Sequence, residues 1–141
     1  MVSFLLRPIK PRLLTLSFPS TLYLCPVLDL LLEEIPVELQ LDLRLGLQEA
    51  LVNAAKHGNH LDPSKSVSVN YKREHNCHEW VITDQGGGFI PPMVCPISQS
   101  EDHLPENECE CGRGLFILFQ VFDQVAWNPE GTELRLAKRL Y

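Results

Sequence analysis

Two runs of alternating residues, KSVSVNYKRE (65–74) and HEWVITD (78–84), stand three residues apart. In the first, Val67, Val69 and Tyr71 fall on one face of a strand. A parallel neighbour needs a crossover of about a dozen residues or more, so these runs must pair as an antiparallel hairpin. Asn76 suits the turn between them. The rest of the chain has to cover one face of that hairpin. RLLTLSF (12–18) reads as a further strand, with Leu14, Leu16 and Phe18 alternating. STLYLCPVLDLLLEEI (20–35) continues in helical period, with Ser20 as a candidate cap. Pro36 breaks that pattern and leads into a long helix over about 37–57. Asp62-Pro63-Ser64 makes a turn. GRGLFILFQVF (112–122) reads as a buried helix opening on glycines, and DQVAW (123–127) and TELRLAKRL (132–140) as strands around the turn NPEG. The order β-α-α-β-β-loop-α-β-β predicts an α+β fold. It is a two-layer sandwich with helices packed on one face of a mixed, mostly antiparallel sheet. One domain, 12–141, follows a short extension, 1–11, and no internal repeat is present. Residues 90–111 hold four prolines and no periodicity, and a loop of that length reads as a functional lid.

Composition excludes several function classes. A net charge of −6 argues against a general nucleic-acid binder, which carries a basic patch. Five cysteines cannot form a fully paired disulfide framework within one chain, so a reducing, cytoplasmic setting with free thiols is expected. The apolar stretch 13–32 follows Arg7, Lys10 and Arg12 as a signal peptide would. Pro19, Pro26 and Asp29 interrupt it, so no membrane span is expected. Cys95, His103, Cys109 and Cys111 could be gathered around zinc, yet the C-x-C spacing of CEC is not the usual C-x2-C knuckle.

Within the long helix, Leu43, Leu47, Ala50, Leu51 and Ala54 define an apolar stripe. Gly46, Glu49, Asn53 and His57 form a second row beside that stripe rather than opposite it. Such a row either lines a cleft or forms a boundary half covered by loops. Gly58 reads as the helix stop. Two glycine clusters, DQGGGF (84–89) and CGRGLF (111–116), flank the long loop. The first leaves a strand and the second enters a helix, where backbone N–H groups can approach an anion. Neither is a P-loop, and G-x-G-x-x-G with a parallel βαβ unit is absent.

EALVN (49–53), DQGGGF, GRGLFIL and the late GT (131–132) stand in the order found in the ATPase superfamily of gyrase and sensor histidine kinases, the Bergerat fold. Within it the chain resembles the small anti-sigma-factor serine/threonine kinases. Their helix pattern E-A-x-x-N-A-x-x-H-G falls here on Glu49, Ala50, Asn53, Ala54, His57 and Gly58. The resemblance implies that Asn53 supplies an oxygen to magnesium and that Glu49 acts as general base on an acceptor hydroxyl. It implies that Asp84 accepts from the exocyclic amine of adenine, with Gly86 and Gly88 letting the chain turn beneath the base. Gly112 and Gly114 match phosphate-side glycines, Thr132 the threonine near the base, and 90–111 the ATP lid. Arg113 is a candidate phosphate contact or a solvated loop residue. His57 is expected to pack or cap the helix end. The cysteine-rich ENECECGRG (106–114) departs from the family pattern. By resemblance the chain binds ATP and magnesium, phosphorylates an antagonist protein in a partner-switching system, engages a sigma factor, and forms a homodimer. The competing expectation is a non-catalytic nucleotide-binding module that sequesters a partner, and a retained Glu49 favours catalysis over it.

Overall fold

The computed structural model describes residues 12–88 and 109–140, the side chains of 109–113 excepted. Five strands form one sheet: β1 (Arg12–Pro19), β2 (Ser66–Glu74), β3 (Cys77–Thr83), β4 (Gln124–Trp127) and β5 (Glu133–Arg139). Their spatial order is β1-β2-β3-β5-β4, and every neighbouring pair is antiparallel. The expected mixed sheet is thus wholly antiparallel among the described strands, and the connections explain why. Two helices, α1 (Cys25–Leu31) and α2 (Val37–Val52), return the chain to β2 in the opposite sense to β1. The connection from β3 to β4 includes α3 (Cys109–Val121), and these two strands run the same way. β5 inserts between them and is antiparallel to both. His75 takes a left-handed φ of 55° in the two-residue β2–β3 turn, beside the Asn76 expected there.

Alternation places Val67, Val69, Tyr71, Trp80, Ile82, Leu134 and Leu136 on the covered face, all buried. Leu43, Leu47, Ala50, Leu51 and Ala54 of the predicted stripe are buried against it. Enclosing residues such as Leu47 and Leu51 is worth about 1.5–3 kcal/mol each. Trp80 meets the Phe122 ring edge-on at 5.7 Å and 68°. Deeper along the strands, the Tyr71 hydroxyl lies 2.6 Å from Nδ1 of His78. Burial pushes Tyr71 up to about 12 and holds His78 below the ordinary imidazole range.

α1 corrects one sequence expectation. It begins at Cys25 with Leu24 at its cap position, no side-chain cap and Pro26 in the first turn. Ser20 lies before it, buried, its hydroxyl donating to the Lys65 carbonyl at 2.9 Å. Among the described residues, no helix is long and apolar enough to cross a membrane.

The register brings one end of the sheet together. Pro19 pairs with Ser66, Ser68 with Thr83, and Thr83 with Glu133. The loops leaving that end therefore start as neighbours, and the C-terminal end of α2 reaches the same place.

Candidate functional site

The polar row on α2 divides. Gly46 is packing rather than cleft: a Cβ there would sit 2.7 Å from the Phe122 ring and 3.1 Å from Val121. A helical glycine costs about 1 kcal/mol relative to alanine, and here it lets α3 close on α2. Glu49 and Asn53 are half-buried and turn toward α3. A Cβ on Gly114 would meet the Glu49 carboxylate at 2.8 Å and the Asn53 amide at 3.6 Å. Two helical glycines thus bring the helices together, one beside an aromatic ring and one beside a carboxylate and an amide. His57 is exposed, one turn beyond Asn53.

Beyond Val52 the helix widens into a π turn, Asn53–Gly58, closed by the Asn59 N–H on the Ala54 carbonyl at 2.9 Å. Such insertions often mark functional positions. The helix ends at Gly58 as expected, although not through a left-handed glycine. The left-handed residues are His60 and Leu61, with φ of 54° and 56°. Gly58 is glycine for want of space, since a Cβ there would strike the Asp84 carboxylate. Gly86 meets the same restriction from the other side, its Cβ position being occupied by the Gly58 carbonyl. The helix end and the loop after β3 are in backbone contact.

Asp84 is half-buried at the centre of that contact. Its N–H donates to the Thr132 carbonyl at 2.9 Å, and its Oδ1 accepts from the Gly86 N–H at 2.9 Å. Burial holds its carboxyl above the ordinary carboxylate range, opposed by the Gly86 N–H and by Lys65. Gly88, with φ of 83°, lies against the Glu130 carbonyl, a conformation and a fit that only glycine accepts. Asn128 braces the facing turn: its amide donates to Thr132 Oγ1 at 3.1 Å and accepts from the N–H groups of Thr132 and Glu133 at 2.9 and 3.0 Å. Asp84, Gly86, Gly88 and Thr132, distant in sequence, therefore form one cluster beside Gly58, with Asn53 and Glu49 one and two turns back along the same helix.

Sequence reasoning missed Asn59. It is fully buried, and its Oδ1 accepts from the Gln85 N–H at 2.7 Å. Its Nδ2 donates to Ser20 Oγ and to the Ser66 carbonyl, both at 2.9 Å. The only hint was an asparagine directly after the helix-ending glycine, which also reads as an ordinary loop residue. Asn128 was hidden in the same way inside the turn NPEG.

Gly112 and Gly114 were expected to open a helix. α3 begins at Cys109, so both lie within it, and Gly114 serves the approach of Glu49. Gly112 and Arg113 stand on its backbone, and their side-chain surroundings lie outside the described residues. So do the extension 1–11, the lid up to residue 108, and Cys95 and His103 of the zinc alternative.

The donor chemistry is specific in kind. Glu49 and Asn53 present hard oxygen atoms, which suit magnesium completed by water and phosphate oxygens. Among the described residues, no group of three or more His, Cys, Asp or Glu is gathered as a protein-only metal cage. Asp84 offers an acceptor without a donor, half-buried between Gly58 and Gly86. No curated protein matches the chain. The family model described as "Histidine kinase-like ATPase domain" matches residues 27–138, a span that contains Glu49, Asn53, Asp84, Gly114 and Thr132.

Proposed function

The chain belongs to the histidine kinase-like ATPase domain family and is an ATP-binding domain; from that premise we propose that it is a protein serine/threonine kinase of the anti-sigma-factor type. It phosphorylates an antagonist protein in a partner-switching system in the cytoplasm, with a sigma factor as the second partner and a homodimer as the working form. The observation that carries this reading is the convergence of Glu49 and Asn53 on Gly114, two turns from the Asp84 cluster. Asn53 would hold magnesium through its side-chain oxygen, and the metal when bound would neutralise phosphate charge. Glu49 accepts the proton of the acceptor hydroxyl. That oxygen bonds to the γ-phosphorus as the bond to the β–γ bridging oxygen breaks, leaving ADP. Gly112, Arg113 and Gly114 serve the phosphate side, Gly86, Gly88 and Thr132 the base. The lid, expected over 90–111, ends ahead of α3, which takes up residues 109–111. Val37, Leu41 and Leu45 lie exposed at four-residue spacing, and the next position in that series is Glu49. An apolar stripe leading to the base supports a protein acceptor over a small one.

The test is a pull-down with the intact chain from its native host, followed by transfer of labelled γ-phosphate to what is recovered. Transfer to serine or threonine of a bound protein is expected. Binding of ATP and of the partner without transfer would favour the sequestering module instead.

Adenine recognition has its own expected result. Asp84→Asn sets a donor where the adenine amine requires an acceptor. A buried polar group left unpaired costs about 1–3 kcal/mol, so ATP affinity should fall roughly 5- to 150-fold, with the preference over GTP reduced. Because burial raises the Asp84 carboxyl, acidification should weaken ATP binding at a higher pH than an ordinary aspartate would. The stability linkage has the opposite sign. The folded state holds this proton more tightly, so the group's contribution to stability is present below its unfolded value and lost as pH rises through the folded one. Calorimetric titrations and thermal melts over the same pH series separate the two. Equal affinity of the wild type for ATP and GTP would remove the adenine assignment.

A further inference from the structure

We propose that Asn59 is a positioning residue for base recognition: it sets the loop that carries Asp84 against the helix that carries Glu49 and Asn53. The inference rests on the reading of Asp84 as the adenine acceptor and extends it to a residue that touches no nucleotide.

Gly58 and Asn59 grip residues 84–86 from both sides of one peptide. Gly58 abuts the Asp84 carboxylate and Gly86, while Asn59 Oδ1 takes the N–H of the intervening Gln85 at 2.7 Å. Gln85 is held from its other end as well, its Oε1 accepting from the Ser66 N–H at 2.7 Å. The backbone of Asn59 closes the π turn that begins at Asn53, through its N–H on the Ala54 carbonyl. A single buried side chain therefore joins the base loop to the turn that ends the phosphate-side helix. Only an amide satisfies the arrangement. It needs one acceptor for Gln85 and two donors for Ser20 and Ser66, and aspartate or leucine of similar size lacks one or both. The full set of partners makes the geometry stiff as well as stable. Asp84 gains its orientation from this clasp, because the residue after it cannot rotate its N–H away from Asn59 without leaving a buried acceptor unpaired.

The test compares Asn59→Ala with Ser20→Ala in the full chain. Ser20→Ala removes two hydrogen bonds on the far side of the clasp, to the Lys65 carbonyl and from Asn59 Nδ2, and leaves the Asn59–Gln85 link in place. Both variants should melt lower. Only Asn59→Ala should reduce the ATP-over-GTP affinity ratio, by about tenfold, the effect of losing one oriented hydrogen bond. Only Asn59→Ala should speed amide exchange at Gln85 and Gly86 by about tenfold or more relative to β2 and β3, read without nucleotide. Asn59→Ser, too short to reach the same N–H, should behave as Asn59→Ala. An unchanged ratio and unchanged local exchange in Asn59→Ala would overturn the proposal. So would parallel changes in Ser20→Ala, or failure of both Asn59 variants to fold, which would assign the side chain to the fold as a whole. A wild type that does not prefer ATP defeats the reading of Asp84 instead, and the exchange comparison then decides the clasp alone.

Discussion

Glu49→Gln is expected to slow phosphoryl transfer by about 10²–10⁴-fold while ATP affinity stays near that of the wild type. Glutamine has the same shape beside Gly114 and still offers an oxygen, but it cannot take a proton from the acceptor hydroxyl. Asn53→Ala should fail differently. It removes the oxygen assigned to magnesium, so metal-dependent nucleotide binding and transfer should fall together. Single-turnover transfer to the cognate acceptor, calorimetric nucleotide binding and a thermal melt distinguish these outcomes. If the row were only a boundary between helices, both substitutions would alter stability and leave chemistry alone. Normal transfer by Glu49→Gln would leave the kinase without a base and move the sequestering module ahead.

Gly86→Ala is expected to abolish measurable ATP binding, a loss of 10²-fold or more, and to destabilise the protein by about 1–3 kcal/mol. The added methyl group falls on the Gly58 carbonyl, and neither backbone atoms nor a methyl can rotate out of the way. The loop must shift, and Asp84 shifts with it. Gly87 supplies the control, because a Cβ there has nothing within 4 Å. Gly87→Ala should bind ATP as the wild type does. Isothermal titration and a denaturant melt on the two variants suffice. Equal losses in both would mean that the loop needs glycine for its flexibility, not for the Gly58 contact.

Much of the fold was legible because its signals are local. The alternation of Val67, Val69 and Tyr71, the stripe from Leu43 to Ala54, and the turn chemistry of Asp62-Pro63-Ser64 each depend on residues a few positions apart. Asp62 does accept from the Ser64 N–H and hydroxyl, at 2.9 and 2.6 Å. The sense of the sheet was less legible. Local patterns say that a strand exists but not which strand lies beside it, and β5 enters between β3 and β4. Ser20 has the composition of a helix cap and found a partner in β2's approach instead, 45 residues away.

The candidate site divides along the same line. Glu49 and Asn53 are one helical turn apart, so the sequence alone places them on a common face. Asp84 after a strand, with Gly86 and Gly88 following, was likewise readable as a glycine cluster at a strand exit. Only the tertiary structure decided why each glycine is there. Gly46 and Gly114 admit the neighbouring helix, Gly58 admits the Asp84 carboxylate, Gly86 admits the Gly58 carbonyl, and Gly88 alone of the described loop's glycines needs a left-handed φ. Sequence reasoning treats glycine as a conformational signal, and a close approach between segments 28 residues apart leaves no mark on either segment by itself. Asn59 is the same case in polar form. Its identity is set by a donor on Gln85 and acceptors on Ser20 and Ser66, which meet only when three loops leave one end of the sheet together.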